Sequence, residues 1–269
     1  MRYKCLSIAG FDGSGGAGIQ ADIKTFSALG CYAMTVLTAL PVQNTCGVKS
    51  CYKIPCKAIS EQLEVIFSDI VPDSIKIGML FTQPIIQLVA NFLKKHAKNI
   101  PIVLDPVMMA KSGDALLLTD AIDALKKDLL PLATIITPNL PEAYALIGGK
   151  KDFIQTAEEL LRLNVQAVLL KGGHVGKDRC DDLFFTAAGV KFWLPAERIK
   201  SKNTHGTGCT LSAAICAYLA RGFSLSDACK QAKEYLHNAI VAAKDNSVGK
   251  GNGPVHHFYN LSRLYLNKL

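Results

Sequence analysis

The run Lys4-Cys5-Leu6-Ser7-Ile8-Ala9-Gly10-Phe11-Asp12-Gly13-Ser14-Gly15-Gly16-Ala17-Gly18-Ile19-Gln20-Ala21-Asp22 reads as a buried strand, a glycine-rich loop and the start of a helix. The helix is expected over Ala17–Leu29, with Gly30 as its C-terminal stop. A second apolar strand, Tyr32–Leu40, follows. A strand, a helix and a strand in this order make a crossover unit, which joins parallel strands.

Working outward, the alternation continues. Val48–Ile54 is expected to be extended and Ile59–Phe67 helical, followed by a strand at Ser74–Ile77 and a helix at Pro84–His96. Pro101–Leu104 reads as a strand, Asp114–Leu129 as a helix and Thr134–Thr137 as a strand. Helices at Pro141–Ile147 and Phe153–Leu163 precede a strand at Ala167–Lys171. Asp182–Thr186 and Val190–Leu194 pattern as a hairpin, and the chain from Thr207 onward is mostly helical. The fold class is therefore α/β, a three-layer α/β/α sandwich with a mainly parallel central sheet. At 269 residues with no linker, repeat or low-complexity stretch, one domain over residues 1–269 is expected.

Composition narrows the functional classes. Hydrophobic residues make up 49% and charged residues 19%, which excludes a disordered chain. The net charge of +8 favours polyanionic ligands such as nucleotides. The pairs Lys94-Lys95 and Lys126-Lys127 fall on amphipathic helices, and no basic patch interleaved with aromatics suggests nucleic acid. The charge-poor runs Thr25–Val48 and Asn203–Ala220 are broken by polar residues and glycines, so no membrane span is expected. Nine cysteines, an odd count, and a first strand with no signal peptide before it point to a reducing cytoplasm. Cys46, Cys51 and Cys56 match no zinc spacing.

Ligands of such sheets collect beyond the carboxyl ends of the strands. The loop Asn203-Thr204-His205-Gly206-Thr207-Gly208-Cys209 opens onto a small-residue helix, so its free N–H groups and the helix dipole suit a phosphate. Cys209 has two readings there: a weak base, or a small residue fitting a tight turn. Gly13, Gly15 and Gly18 satisfy G-x-G-x-x-G, but the acid expected about 20 residues later is missing, which weakens a dinucleotide reading. Asp105, Asn139, Glu142 and Lys171 all stand at strand carboxyl ends, where they could serve Mg²⁺ and ATP phosphates together. Gln43, after the second strand, offers an amide that both donates and accepts, as an aminopyrimidine requires.

These stretches carry a resemblance. Ser14–Asp22, Gln43-Asn44-Thr45-Cys46-Gly47, Lys76-Ile77-Gly78-Met79-Leu80, Thr137–Ala143, Lys171-Gly172-Gly173-His174, Thr204–Ala214 and Gly249–His257 are similar to the hydroxymethylpyrimidine/phosphomethylpyrimidine kinases of thiamine biosynthesis. The resemblance spans residues 4 to about 258 and implies a ribokinase-like fold, a homodimer, and ATP with Mg²⁺. It also implies two successive phosphoryl transfers, giving the pyrimidine monophosphate and then the diphosphate. By family position Gln43 reads the pyrimidine, and Gly10, Ala17, Asp22, Met79 and Val107 line its pocket. Asp105 and Glu142 serve the metal, and Lys171, Asn139 and Lys233 the nucleotide. Gly206, Thr207, Gly208 and Cys209 form the anion hole. Pyridoxal kinases of a related offshoot also carry the cysteine, so pyridoxal or pyridoxine is the alternative substrate. A dinucleotide oxidoreductase and a non-catalytic nucleotide-binding regulator are the remaining readings.

Overall fold

Residues 2–108, 121–173, 178–246 and 248–261 are described by the computed structural model. The first part of the helix expected from Asp114, and His174 of the stretch Lys171-Gly172-Gly173-His174, lie outside the described residues.

Eight strands form one sheet in the order β10-β9-β8-β7-β6-β5-β1-β2. They are β1 (Lys4–Ala9), β2 (Tyr32–Leu37), β5 (Ser74–Ile77), β6 (Ile102–Leu104), β7 (Ile135–Ile136), β8 (Ala167–Leu170), β9 (Asp182–Thr186) and β10 (Lys191–Leu194). Pairing is parallel from β2 through β8. The last two strands form the expected antiparallel hairpin on that edge.

Side chains alternate across the sheet, and both faces are covered. Ile8, Ile77 and Leu104 bury on the face carrying α2 (Cys56–Asp69), α3 (Gln83–His96), α4 (Ala121–Ala124), α5 (Leu140–Ile147) and α6 (Phe153–Leu161). Cys5, Val103 and Leu169 bury on the other, under α1 (Gly18–Ala28), α7 (Thr207–Ala220) and α8 (Leu225–Ala243). Such two-sided burial explains the continuous apolar strands. α7 owes its central position to Ala213, Ala214 and Ala217, whose small side chains are fully buried.

Two elements differ from the sequence reading. Tyr32–Leu40 is not one strand: Thr38 is fixed by its N–H to the Ala9 carbonyl (3.0 Å), and β3 (Ala39–Asn44) leaves the sheet. It pairs antiparallel with β4 (Gly47–Lys53) in a separate hairpin, with a bulge between Val42 and Gln43. Pro41 lacks the N–H a central strand needs, which suits this two-stranded edge. Downstream, α4 continues as a π-turn over Leu125–Leu129 and a 3₁₀ turn over Leu130–Leu132 instead of one regular helix. Pro131, inside the last turn, cannot supply an α-helical N–H.

The chain turns left of β1 to β5 and right of β1 to β2, so β1/β5 is the point where the winding reverses. The N-terminus of α7 and the loop after β1 meet there.

Candidate active site

Gly206 precedes α7 at its N-terminal cap, in the left-handed region with φ +76°. A Cβ there would stand 1.7 Å from the Gly16 carbonyl oxygen, so glycine is required twice over. The Thr210 N–H closes the first turn on the Gly206 carbonyl at 2.8 Å. The Gly208 and Cys209 N–H groups have no partner among the described residues, and no side chain caps the helix. Free donors of this kind, with the helix dipole, have the chemistry of the anion cradle that the sequence reading expects.

The glycine loop after β1 is used differently. Its N–H groups close on its own anion: Asp12 Oδ1 accepts from Ser14 N–H, and Oδ2 from Gly16 and Ala17 N–H at 3.0 and 2.7 Å. His205 Nε2 lies 2.8 Å from the same Oδ2, tying this loop to the cradle. Burial opposes the charge on Asp12, but His205, Ser14 and Ala17 outweigh it and hold the carboxyl well below the usual range. Loop N–H groups so occupied are not free to bind a dinucleotide pyrophosphate.

At the strand ends, Asp105 follows β6 and is nearly fully buried. Its Oδ1 accepts from Lys171 Nζ at 3.0 Å and from Thr137 Oγ at 3.2 Å. Lys171, after β8, also stands 3.9 Å from Glu142 Oε2. Asn139 and Glu142 begin α5 as a reciprocal cap: Asn139 Oδ1 accepts from Glu142 N–H, and Glu142 Oε2 from Asn139 N–H. Burial pushes the Glu142 carboxyl up to about 7, against the pull of Lys171. Burial also disfavours the Lys171 ammonium, yet Asp105 and Glu142 hold it charged. Farther along, Lys233 of α8 donates to Asp182 Oδ2 and to the Cys180 carbonyl, both at 2.7 Å, while Asp182 Oδ1 accepts from Gly172 N–H.

One cavity of about 600 Å³ joins these groups. Cys209, Gly206, Thr207, Gly208, Gln43, Gly10, Ala17, Met79, Val107, Asn139, Lys171, Lys233, Asp105 and Glu142 all line it. Asp22 is absent from the wall: it is fully buried behind Lys76. Met79 and Val107 pack beside the β3–β4 hairpin and give one end an apolar wall. The Gln43 side chain there has no hydrogen bond among the described residues. The Lys233–Asp182 pair marks the other end, with the cradle between them.

Burial pushes the Cys209 thiol up to about 11, with Asp22 and Asp105 adding to it and Lys76 opposing. It is therefore a protonated thiol at neutral pH in the free protein. Sequence reasoning did not assign Lys76, Asp182 or the Asp12–His205 pair. A lysine inside the apolar strand Ser-Ile-Lys-Ile was the available signal, since charges are seldom buried unless paired. No cluster of three or more metal-ligating side chains occurs among the described residues. Two carboxylates beside a phosphate cradle nevertheless fit Mg²⁺, which keeps several waters and takes substrate phosphates as ligands.

A family model described as Phosphomethylpyrimidine kinase matches residues 12–256. A hydroxymethylpyrimidine/phosphomethylpyrimidine kinase of Rhizobium meliloti is 49% identical over 264 residues, covering 96% of this chain and 98% of that protein. The solved phosphomethylpyrimidine kinase of Clostridium difficile is 42% identical, with a TM-score of 0.78, covering 88% of this chain and 99% of that one. Pyridoxal kinase of Staphylococcus aureus, solved with AMP-PCP and pyridoxal, is 35% identical with a TM-score of 0.84, covering 96% and 94%.

Proposed function

The chain belongs to the phosphomethylpyrimidine kinase family, and from that premise we propose how its cavity carries out the reaction. The activity is ATP-dependent phosphorylation of 4-amino-5-hydroxymethyl-2-methylpyrimidine to the monophosphate and then the diphosphate, in thiamine biosynthesis. The observation that carries the proposal is the Gly208–Cys209 N–H pair, which has no partner among the described residues and lies between an amide-bearing apolar end and a lysine-rich end.

The pyrimidine lies against Met79 and Val107, with the Gln43 amide pairing to its ring nitrogen and amino group. The ATP phosphates extend past Lys171 and Asn139 toward Lys233. Mg²⁺ would be held by Asp105 and Glu142 and would neutralise phosphate charge when bound. The cradle N–H groups meet the charge of the transferring phosphoryl group, and positioning does most of the remaining work. As the acceptor oxygen bonds the γ-phosphorus and the β–γ bond of ATP breaks, the hydroxyl proton passes to an oxygen of the transferred phosphoryl group and on to water, and not to Cys209, whose thiol burial pushes up to about 11. The Asp12–His205 pair fixes the cradle against the glycine loop. The active unit is one domain, assembled as a homodimer in the cytoplasm. Exposed Val42 and Tyr52 on the β3–β4 hairpin suit a subunit contact, and all nine cysteines are free, which suits a reducing compartment. No helix among the described residues is long and apolar enough to cross a membrane.

A pyridoxal kinase reading rests on the structural likeness above, but Gln43 gives the pyrimidine a matching hydrogen-bond edge. Gln43→Ala should raise KM for the pyrimidine at least tenfold, since it leaves a polar edge unpaired, and change KM for ATP less than about threefold. Equal losses for both would sink the assignment.

A further inference from the structure

Lys76 occupies the middle of β5 between Ile75 and Ile77 and is fully buried. Its Nζ reaches both carboxylate oxygens of Asp22, at 2.9 and 2.8 Å. Ser7, its register partner on β1, donates Oγ–H to Asp22 Oδ2 at 2.5 Å. Gly78 leaves room for this ammonium, because a Cβ there would come within 2.9 Å of Nζ. Neither Ser7 nor Asp22 reaches the cavity, whereas Lys76 lines it together with Gly10, Met79, Asp105 and Cys209.

A buried ion pair is weak evidence of a stabilising role. Desolvation offsets most of the attraction, and apolar residues of the same volume often serve folding as well or better. An ion pair whose cationic residue alone borders the reaction cavity calls for another explanation. We infer that Lys76 is a further functional residue of the transfer, its ammonium fixed just behind the cavity wall as a positive charge felt by the acceptor oxygen and the incoming phosphoryl group, and that Asp22 is its positioning residue. No bond is made to Lys76 and no proton leaves it. Burial disfavours its charge, but Asp22 outweighs burial, with Asp105 adding, and holds the ammonium protonated. Electrostatic groups of this kind act because they are already oriented when charge develops. The role of Asp22 in substrate handling is thereby exerted through Lys76 and not by contact. The inference rests on the kinase reading above.

The test is steady-state kinetics on wild type, Asp22→Asn and the double variant Lys76→Met/Asp22→Leu. The double variant removes both charges, so no uncompensated ion is left in the core. Its kcat should fall at least about 100-fold, with KM for ATP within about threefold and the melting temperature kept. In Asp22→Asn the groups left facing the ammonium are Cys209 and Asp105. Its kcat should acquire an alkaline fall at least one pH unit below any in wild type, because the lysine is held less firmly; a merely structural Asp22 would not move that limb. A double variant with kcat within threefold of wild type, or one that does not fold, overturns the inference, as does an Asp22→Asn profile that matches wild type. Running pyrimidine and pyridoxal in parallel separates the failures. Wild-type turnover of pyridoxal alone sinks the pyrimidine assignment but leaves Lys76 to be judged on pyridoxal. Turnover of neither sinks both.

Discussion

At the residue scale the cradle is backbone chemistry, and its demands fall on glycine. Gly206→Ala would force a Cβ to 1.7 Å from the Gly16 carbonyl and strain a φ of +76°. Turnover should drop at least about 100-fold by the same steady-state assay, and unchanged turnover would remove the cradle from the mechanism. Cys209 is a different case. With its thiol near 11, iodoacetamide labelling of its tryptic peptide should reach half its limiting rate near pH 11, not near the ordinary thiol value of about 8.5. Cys209→Ala keeps the N–H donors, so it should lose less than about 100-fold in kcat; a larger loss, in the range of a removed general base, would restore the thiol to that role. Gly206, Gly208 and Cys209 were legible in the sequence because glycines before a helix signal free N–H groups. The use of the Gly16 and Ala17 N–H groups by Asp12 was not, because it depends on how tightly the loop curls. Lys76 was hidden for a related reason: its partner Asp22 is 54 positions away, and only the sheet brings them together.

At the scale of elements, α5 shows how a site residue can also be a structural one. Asn139 caps the helix and Glu142 returns the bond. Asn139→Ala should therefore cost about 1 kcal/mol in urea unfolding, whereas Asn139→Asp should cost little because aspartate caps equally well. A loss of activity in Asn139→Ala without that loss of stability would mean the cap is not formed. The parallel strands and most helices were readable from apolar runs and glycine stops. The division of Tyr32–Leu40 was not, since β2 and β3 are both apolar and differ only in which strand accepts them. That break matters, because it swings Gln43 onto a hairpin beside the cavity. The regular helix expected to Leu129 failed for a local reason, the Pro131 turn following it.

For the whole molecule, pH dependence is set partly by His257, buried where the C-terminal segment meets α7 and α8, with Nε2 3.1 Å from Thr210 Oγ and its carbonyl accepting from Tyr235. Burial, with Lys24 and His256 adding, lowers its pKa from 6.5 to about 4. Between these values the unfolded chain binds the extra proton, so stability is full above pH 6.5 and is lost as pH falls toward 4. The loss amounts to about 3 kcal/mol. Urea midpoints should follow that slope, and His257→Gln should flatten it; an equal slope in the variant would place the titration elsewhere. The layer order and the crowding of chemistry at the carboxyl ends of the strands follow from patterning that the sequence displays, while the fit of substrate does not. The decisive measurement is therefore purified protein with Mg²⁺ and ATP, offered hydroxymethylpyrimidine, its monophosphate or pyridoxal, with products identified by mass. The expected result is conversion of the first two to the mono- and diphosphate, with kcat/KM for the pyrimidine alcohol at least tenfold above that for pyridoxal. Preference for pyridoxal, or ATP hydrolysis with no phosphorylated pyrimidine, would contradict it.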